Sequence, residues 1–210
     1  MNTQARPLTV ALVLSLVLAL VSPVFAGAPT EALKERVDLV VKSLAEQAPN
    51  TEERRARIRK IADSIFDYPD TARRALGPHW NSRSPKEREE FVKLFGDLLD
   101  RAYMSKIELY QGERVQYTAE QIDGNEATVK TVIATKKGSE VPVDYRMHLK
   151  DGRWLVYDVI IEGVSLVSNY RTQFNKIVQT EGYDKLVQRL RSKDTAPDPA
   201  ASPGRSRTDR

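Results

Sequence analysis

Apolar and polar residues alternate between residues 141 and 150, and this pattern predicts a strand with one apolar face. The apolar positions of this strand are Val141, Val143, Tyr145, Met147 and Leu149. Asp151 and Gly152 follow and predict a tight hairpin turn, because both tolerate the positive φ that a two-residue loop requires. Residues 154–161 are apolar on both faces apart from Asp158, which predicts a central strand at 153–162 that is covered on both sides.

A helical period replaces the alternation after Ser165, which predicts an N-capped helix that ends at Gly182. Its apolar stripe consists of Leu166, Tyr170, Phe174 and Ile177. Ser84 and Glu87 predict the capping box of the longest helix, which runs to about residue 110. Other helices are predicted at 30–48, 51–65, 71–76 and around 186–190, and other strands at 114–119 and 127–135.

Short turns between four successive strands predict an antiparallel meander. The predicted fold class is therefore α+β. We expect a twisted antiparallel sheet of four strands, or slightly more, with five to seven helices that enclose a deep apolar pocket. The helix after Ser165 is expected to cross the apolar face of the sheet and to close this pocket.

The two ends of the chain differ in character from the part between them. Arg6, an apolar run at 8–21 and the small residues before position 27 predict a signal peptide at 1–26, which implies export. A membrane anchor is disfavoured, because the run is shorter than the about 20 residues that a span needs. Residues 193–210 lack apolar periodicity and predict a disordered tail. The folded domain is therefore expected at 27–192.

Composition excludes several kinds of chemistry. The chain contains no cysteine, which excludes thiol catalysis and cysteine-ligated metals. Its two histidines, His79 and His148, are too few and too far apart in sequence for a histidine-based metal site. Lysine and arginine number 33 against 29 acidic residues, and both signs are interspersed, which is not a nucleic-acid-binding pattern. We predict no metal and no cofactor.

Three features are considered as catalytic sites, and none leads to a predicted catalytic residue. Asp158, with Tyr145 or Tyr157 nearby, could serve proton transfer in a cone-shaped fold of the isomerase kind, but a single strand aspartate usually pairs with an arginine or an amide. Ser165 lies in half of a nucleophile elbow without the second glycine. His79 beside a tryptophan is expected to be a packed corner residue.

The helix at 51–65 is rich in cations. It carries Arg54, Arg55, Arg57, Arg59 and Lys60 around a narrow stripe of isoleucines. These side chains would contact lipid headgroups, a membrane or an acidic partner, or they would form an ordinary solvated face.

Four segments of the chain carry a longer pattern. They read YxxxARxALGxHW at 68–80, EFxxxFxxLL at 90–99, VPVDY at 141–145 and WxVYDVxxEGVSLVxNYRxQF at 154–174. The pattern resembles that of the MlaC / toluene-tolerance (Ttg2D-like) periplasmic phospholipid-binding family, over roughly residues 33–190. The last segment is long and specific. The Arg-rich helix and the tail lie outside these motifs.

The resemblance implies a soluble periplasmic carrier of diacyl phospholipid that is not an enzyme. Such carriers pass lipid between an outer-membrane lipoprotein–porin complex and an inner-membrane ABC transporter with an MCE-domain subunit, which maintains outer-membrane lipid asymmetry. The family fold holds the acyl chains in a deep apolar pocket and leaves the headgroup outside. A related branch is associated with hopanoid export, so a hopanoid or another apolar lipid is the alternative cargo. A monomer is expected.

Ten side chains from the hairpin and from two helices are predicted to bind lipid. They are Tyr103, Ile107, Val143, Tyr145, Met147, Val156, Val159, Val167, Tyr170 and Phe174. Each of them would also suit an ordinary core, and the prediction depends on the whole set, because a carrier needs more inward apolar surface than a closed core does. An interaction module, which would fill its core and carry no lipid, is the competing class of protein.

Overall fold

The computed structural model describes residues 28–46, 51–135 and 138–192. The predicted signal peptide at 1–26 and the predicted tail at 193–210 lie outside the described residues. The helices are α1 (Pro29–Ala45), α2 (Thr51–Ile65), α3 (Tyr68–Leu76), a short 3-10 helix (Gly77–His79), α4 (Pro85–Glu108), α5 (Leu166–Glu181) and α6 (Tyr183–Ser192). The strands are β1 (Arg114–Asp123), β2 (Glu126–Ala134), β3 (Glu140–Lys150), β4 (Arg153–Ile161) and β5 (Val164–Ser165).

The strands form one antiparallel sheet in the order β1-β2-β3-β4-β5. This confirms the α+β class and the meander, with a two-residue strand, β5, in addition to the predicted four. Strand β1 extends to Asp123, four residues beyond its predicted end at Ala119. Its last four residues are all exposed, and three of them are polar, so backbone pairing with β2 rather than a buried apolar face continues the strand.

An irregularity in the β3–β4 pairing decides which residues of β4 share a face. Arg146 pairs with Asp158, whereas the next residue, Met147, pairs with Val156, so that Tyr157 is the extra residue of a bulge. Regular alternation would place Val156 and Val159 on opposite faces. With the bulge, both valines join the same apolar face.

Buried side chains form two clusters. The sheet cluster combines the apolar face of β2, β3 and β4 with residues of α1 and α2, and its buried members are Leu33, Ile65, Ala127, Val129, Val143, Met147, Trp154, Val156 and Val159. The helical cluster joins α3, α4, α5 and α6, and its largest members are Phe91, Phe95, Leu98, Tyr170, Phe174, Tyr183 and Leu186. The sheet and the helices therefore each have a core of their own.

The segment before α3 is anchored to the sheet. The Asp67 amide donates to Val156 O at 2.9 Å, and the Asp67 carboxylate accepts from Lys150 Nζ at 2.8 Å and lies 3.1 Å from His148 Nε2. The same carboxylate caps α3 by accepting from the Asp70 amide. As a result, α3 starts at Tyr68, three residues before its predicted start, and a segment predicted as a break is partly helical.

Candidate functional site

The apolar face of the sheet is the predicted lipid-facing surface, and five of the ten predicted residues lie on it. Val143, Met147, Val156 and Val159 are buried in the sheet cluster, and Tyr145 packs against it while remaining partly exposed. Strand pairing aligns Val143 with Ile161, Tyr145 with Val159 and Met147 with Val156. The structure therefore brings the predicted hairpin residues together on one face.

Tyr145 combines accessible area with strong desolvation. Its side chain is only partly buried, yet burial raises the pKa of its phenol to about 12, and no charged group contributes to this shift. A phenol on an open surface would keep a pKa near its ordinary value of 10. The Tyr145 phenol is therefore surrounded by protein atoms on the apolar face of the sheet, although part of the side chain stays accessible.

The three predicted residues of α5 lie elsewhere. Val167, Tyr170 and Phe174 belong to the helical cluster. The Tyr170 and Phe174 rings meet Phe95 of α4 in edge-on contacts, with centroids 5.2 and 5.4 Å apart. This is the geometry of tightly packed aromatic pairs. The expected crossing of α5 over the apolar face of the sheet is not what the structure shows, and these three residues are not brought together with the hairpin set.

The two predicted residues of α4 belong to neither cluster. Tyr103 and Ile107 lie one turn apart on the same side of the helix, and both are partly buried. Lys106 Nζ lies 5.6 Å from the centre of the Tyr103 ring. Both side chains keep some accessible area.

The carboxylate of Asp158 is fully engaged in holding α5. It is 4% exposed, and its Oδ1 accepts from the Val167 amide at 3.1 Å. Its Oδ2 accepts from Ser165 Oγ at 2.7 Å and lies 3.4 Å from a guanidinium nitrogen of Arg146. Because Asp158 pairs directly with Arg146 across the strands, it lies on the side of the sheet opposite Met147. Asp158 therefore points away from the apolar face of the sheet, where the isomerase alternative would require its acid.

The family is identified by a match that covers most of the chain. Residues 31–192 match the family described as MlaC protein. The chain belongs to the MlaC family.

Two curated relatives and one solved structure agree with this identification. The chain is 27% identical over 129 residues to the intermembrane phospholipid transport system binding protein MlaC of Haemophilus influenzae. This match covers 59% of this chain and 60% of that protein. It is 26% identical over 102 residues to the toluene tolerance protein ttg2D of Pseudomonas putida. This match covers 48% of this chain and 47% of that protein. The matches thus span about half of these relatives' length.

The solved structure is a phospholipid-binding protein from Ralstonia solanacearum in complex with a phospholipid. It superimposes with a TM-score of 0.73 at 23% identity, over 80% of this chain and 97% of that chain. At this identity the likeness shows that the MlaC family member described here shares its fold.

Several members of the sheet cluster in this MlaC family member are missing from the ten residues that the sequence predicts to bind lipid. They are Leu33 and Val37 of α1, Ile65 and Phe66 at the end of α2, Tyr117 of β1, Ile133 of β2 and Leu166 of α5. The helical spacing of Leu33 and Val37 indicates a buried stripe, and the alternation in β1 indicates an inward Tyr117. What neither pattern indicates is which surface each stripe covers.

Arginines of α2 bind carboxylates of α4. Arg55 makes a two-pronged contact with Glu108, at 2.8 and 2.9 Å, and Arg59 pairs with Asp100. Both carboxylates are mostly buried. These arginines therefore connect two helices, and they do not belong to a free basic face.

Two features are absent from the part of the chain that the structure describes. Within residues 28–46, 51–135 and 138–192, no group of three or more metal-ligating side chains occurs. No helix in the same ranges is long and apolar enough to cross a membrane.

Proposed function

We propose that this protein is a soluble periplasmic carrier that holds the acyl chains of a phospholipid against the apolar face of its sheet. The observation that carries this proposal is the shared apolar face of the sheet, on which Val143, Tyr145, Met147, Val156 and Val159 lie together. Membership of the MlaC family supports it, and so do a relative named for intermembrane phospholipid transport and a structural neighbour solved with a phospholipid.

Physical chemistry explains why such a carrier needs a recess. Two acyl chains of about sixteen carbons contain about 30 CH₂ groups, and at about 0.8 kcal/mol each their bare exposure to water would cost over about 20 kcal/mol. A carrier must cover this surface with apolar side chains. The proposed wall consists of Val143, Tyr145, Met147, Val156 and Val159 of the sheet, with Tyr103 and Ile107 of α4.

The remaining predicted residues take a different role in this proposal. Val167, Tyr170 and Phe174 belong to the helical cluster. The proposed wall omits them because the Tyr170 and Phe174 rings pack against Phe95 of α4 and not against the sheet cluster.

The proposed route connects two membranes. The carrier would exchange lipid with an outer-membrane lipoprotein–porin complex and with an inner-membrane MCE-domain protein of an ABC transporter, and would thereby maintain outer-membrane lipid asymmetry. The carrier itself would leave the lipid chemically unchanged. Lipid incubated with the pure protein should be recovered intact, and time-dependent release of fatty acid or lysophospholipid would overturn this part of the proposal.

The direct test of carriage is lipid extraction and native mass spectrometry of protein purified from a Gram-negative periplasm. We expect a diacyl lipid to be bound. Recovery of a hopanoid would redirect the proposal to that cargo, and recovery of no lipid would refute it.

A matched pair of tyrosine substitutions tests the location of the pocket. In Tyr145→Glu the new charge would lie at a partly exposed position on the apolar face of the sheet, so we expect loss of bound lipid with the fold retained. In Tyr170→Glu the same charge would lie in a packed aromatic core, where it should cost several kcal/mol of stability. Thermal unfolding and lipid occupancy are measured for both variants. If Tyr145→Glu keeps its lipid, or if both variants unfold, the wall is placed wrongly.

A further inference from the structure

Two tyrosines interrupt the apolar face of the sheet. Strand pairing aligns Tyr117 of β1 with Thr131 of β2, and Thr131 with Val143 of β3. Directly paired residues project from the same side, and so do residues two apart on one strand. Tyr117 and Tyr145 therefore project from the same face as Val143. Both pack against the sheet cluster.

The hydroxyl groups on this face differ in how they are satisfied. Thr131 is 1% exposed and donates to Val143 O at 2.7 Å. The Tyr117 hydroxyl is enclosed but has no hydrogen-bond partner among the described residues. A buried hydroxyl without a partner costs a few kcal/mol at most, and ligands often supply the missing acceptor at such positions.

The surroundings of Tyr117 decide which kind of acceptor fits. Burial raises the pKa of the Tyr117 phenol above its ordinary value, and Tyr145 together with the Asp38 and Glu31 carboxylates of α1 raises this pKa further. Those two carboxylates would repel an anionic acceptor, such as a phosphate or a free fatty acid. A neutral carbonyl oxygen suits the position, at 2.5–3.0 Å from the phenol oxygen.

We propose that Tyr117, flanked by Tyr145, is a polar subsite that donates its hydroxyl to an ester carbonyl of a bound acylglycerol lipid. This rests on the proposed function. An acylglycerol carries its ester carbonyls where its acyl chains end, and Tyr117 lies where the apolar face of the sheet meets the acidic residues of α1. The subsite therefore selects ester-linked lipids over lipids whose chains are joined by ether oxygens, which lack the carbonyl.

The test compares two ligands that differ only at this position. Diacyl-phosphatidylcholine and dialkyl-phosphatidylcholine of equal chain length compete for the delipidated full-length protein, and native mass spectrometry reads the bound ratio. We expect wild type to prefer the ester lipid about three- to tenfold, the equivalent of one net hydrogen bond. Tyr117→Phe, which removes only the hydroxyl, should abolish this preference and leave the affinity for the ether lipid unchanged.

The control variant is Tyr183→Phe. The Tyr183 hydroxyl donates to Glu87 O at 3.2 Å within the helical cluster, so its removal should leave the ester preference as in wild type. The inference is overturned if wild type shows no ester preference, a result that requires no variant to fold. It is also overturned if Tyr117→Phe keeps the preference for the ester lipid, or if it weakens the binding of both lipids equally. Failure of wild type to bind either lipid would instead refute the proposed function.

Discussion

The carboxylate of Asp158 is predicted to be worth more to stability than any other single polar group on β4. In Asp158→Ala the Val167 amide loses its acceptor at 3.1 Å, the Ser165 hydroxyl loses its acceptor at 2.7 Å, and Arg146 loses its ion pair. An unsatisfied buried donor costs about 1–3 kcal/mol, and a lost hydrogen bond between neutral and charged groups adds about 1–2 kcal/mol. The Arg146 pair contributes little, because this arginine is largely exposed. We therefore expect a loss of about 2–5 kcal/mol in the free energy of unfolding.

An isosteric variant separates this structural role from an acid–base role. Asp158→Asn keeps an oxygen for the Val167 amide, so its loss should be less than half of that in the alanine variant. Urea unfolding followed by circular dichroism gives both values, and Asp123→Ala at the exposed end of β1 serves as the control, with a change within about 0.5 kcal/mol. Equal losses in the two Asp158 variants, or a loss below about 1 kcal/mol for alanine, would refute the capping role.

Two further predictions concern groups outside the apolar face. Tyr170→Phe removes a buried hydroxyl that has no partner among the described residues, so Tm should stay the same or rise by a few degrees, whereas a lower Tm would show that this hydroxyl is satisfied. Burial alone would raise the pKa of Asp67, but Lys150, the Asp70 amide and His148 outweigh it, and the pKa lies below its ordinary value of 3.8. A carboxylate whose pKa is lower in the folded state than in the unfolded state stabilises the protein at pH values above the unfolded-state pKa. This stabilisation is lost as the pH falls through the folded-state pKa. Tm measured from pH 7 to pH 2 should therefore fall more steeply below about pH 4 in wild type than in Asp67→Asn, and identical profiles would contradict the reasoning.

Local chemistry in the sequence was sufficient to predict how helices and turns begin. Ser84 and Glu87 form the predicted capping box, and Ser165 accepts from the Ser168 amide as the predicted N-cap. The hairpin turn adopts positive φ at both Asp151 and Gly152, at 50° and 73°. Each of these features depends on residues within a few positions of one another. A single sequence is therefore sufficient to predict them.

The partner of each apolar stripe could not be predicted in the same way. The period of α5 identifies Val167, Tyr170 and Phe174 as buried, and they are, but nothing local states that they face α4 rather than the sheet. The grouping of Val156 with Val159 likewise depends on a bulge, which is a property of the pairing between two strands. Long-range contacts fix both arrangements, and a periodic pattern carries no information about them.

The two faces of strand β4 have different roles in the proposed carrier, since one would contact lipid and the other attaches helices. One face belongs to the sheet cluster, against which α1 and α2 also pack. The other face carries contacts to two helices: Asp158 holds α5, and Arg74 of α3 lies over the Tyr157 ring, 3.9 Å from its centre. Helices α3 and α5 are thus fixed by polar and aromatic contacts on the side away from the apolar face, and they share a cluster with α4 and α6. In the proposed carrier the apolar face can therefore exchange a large ligand without disrupting the contacts that maintain the fold, because its residues are not the ones on which the helical core depends.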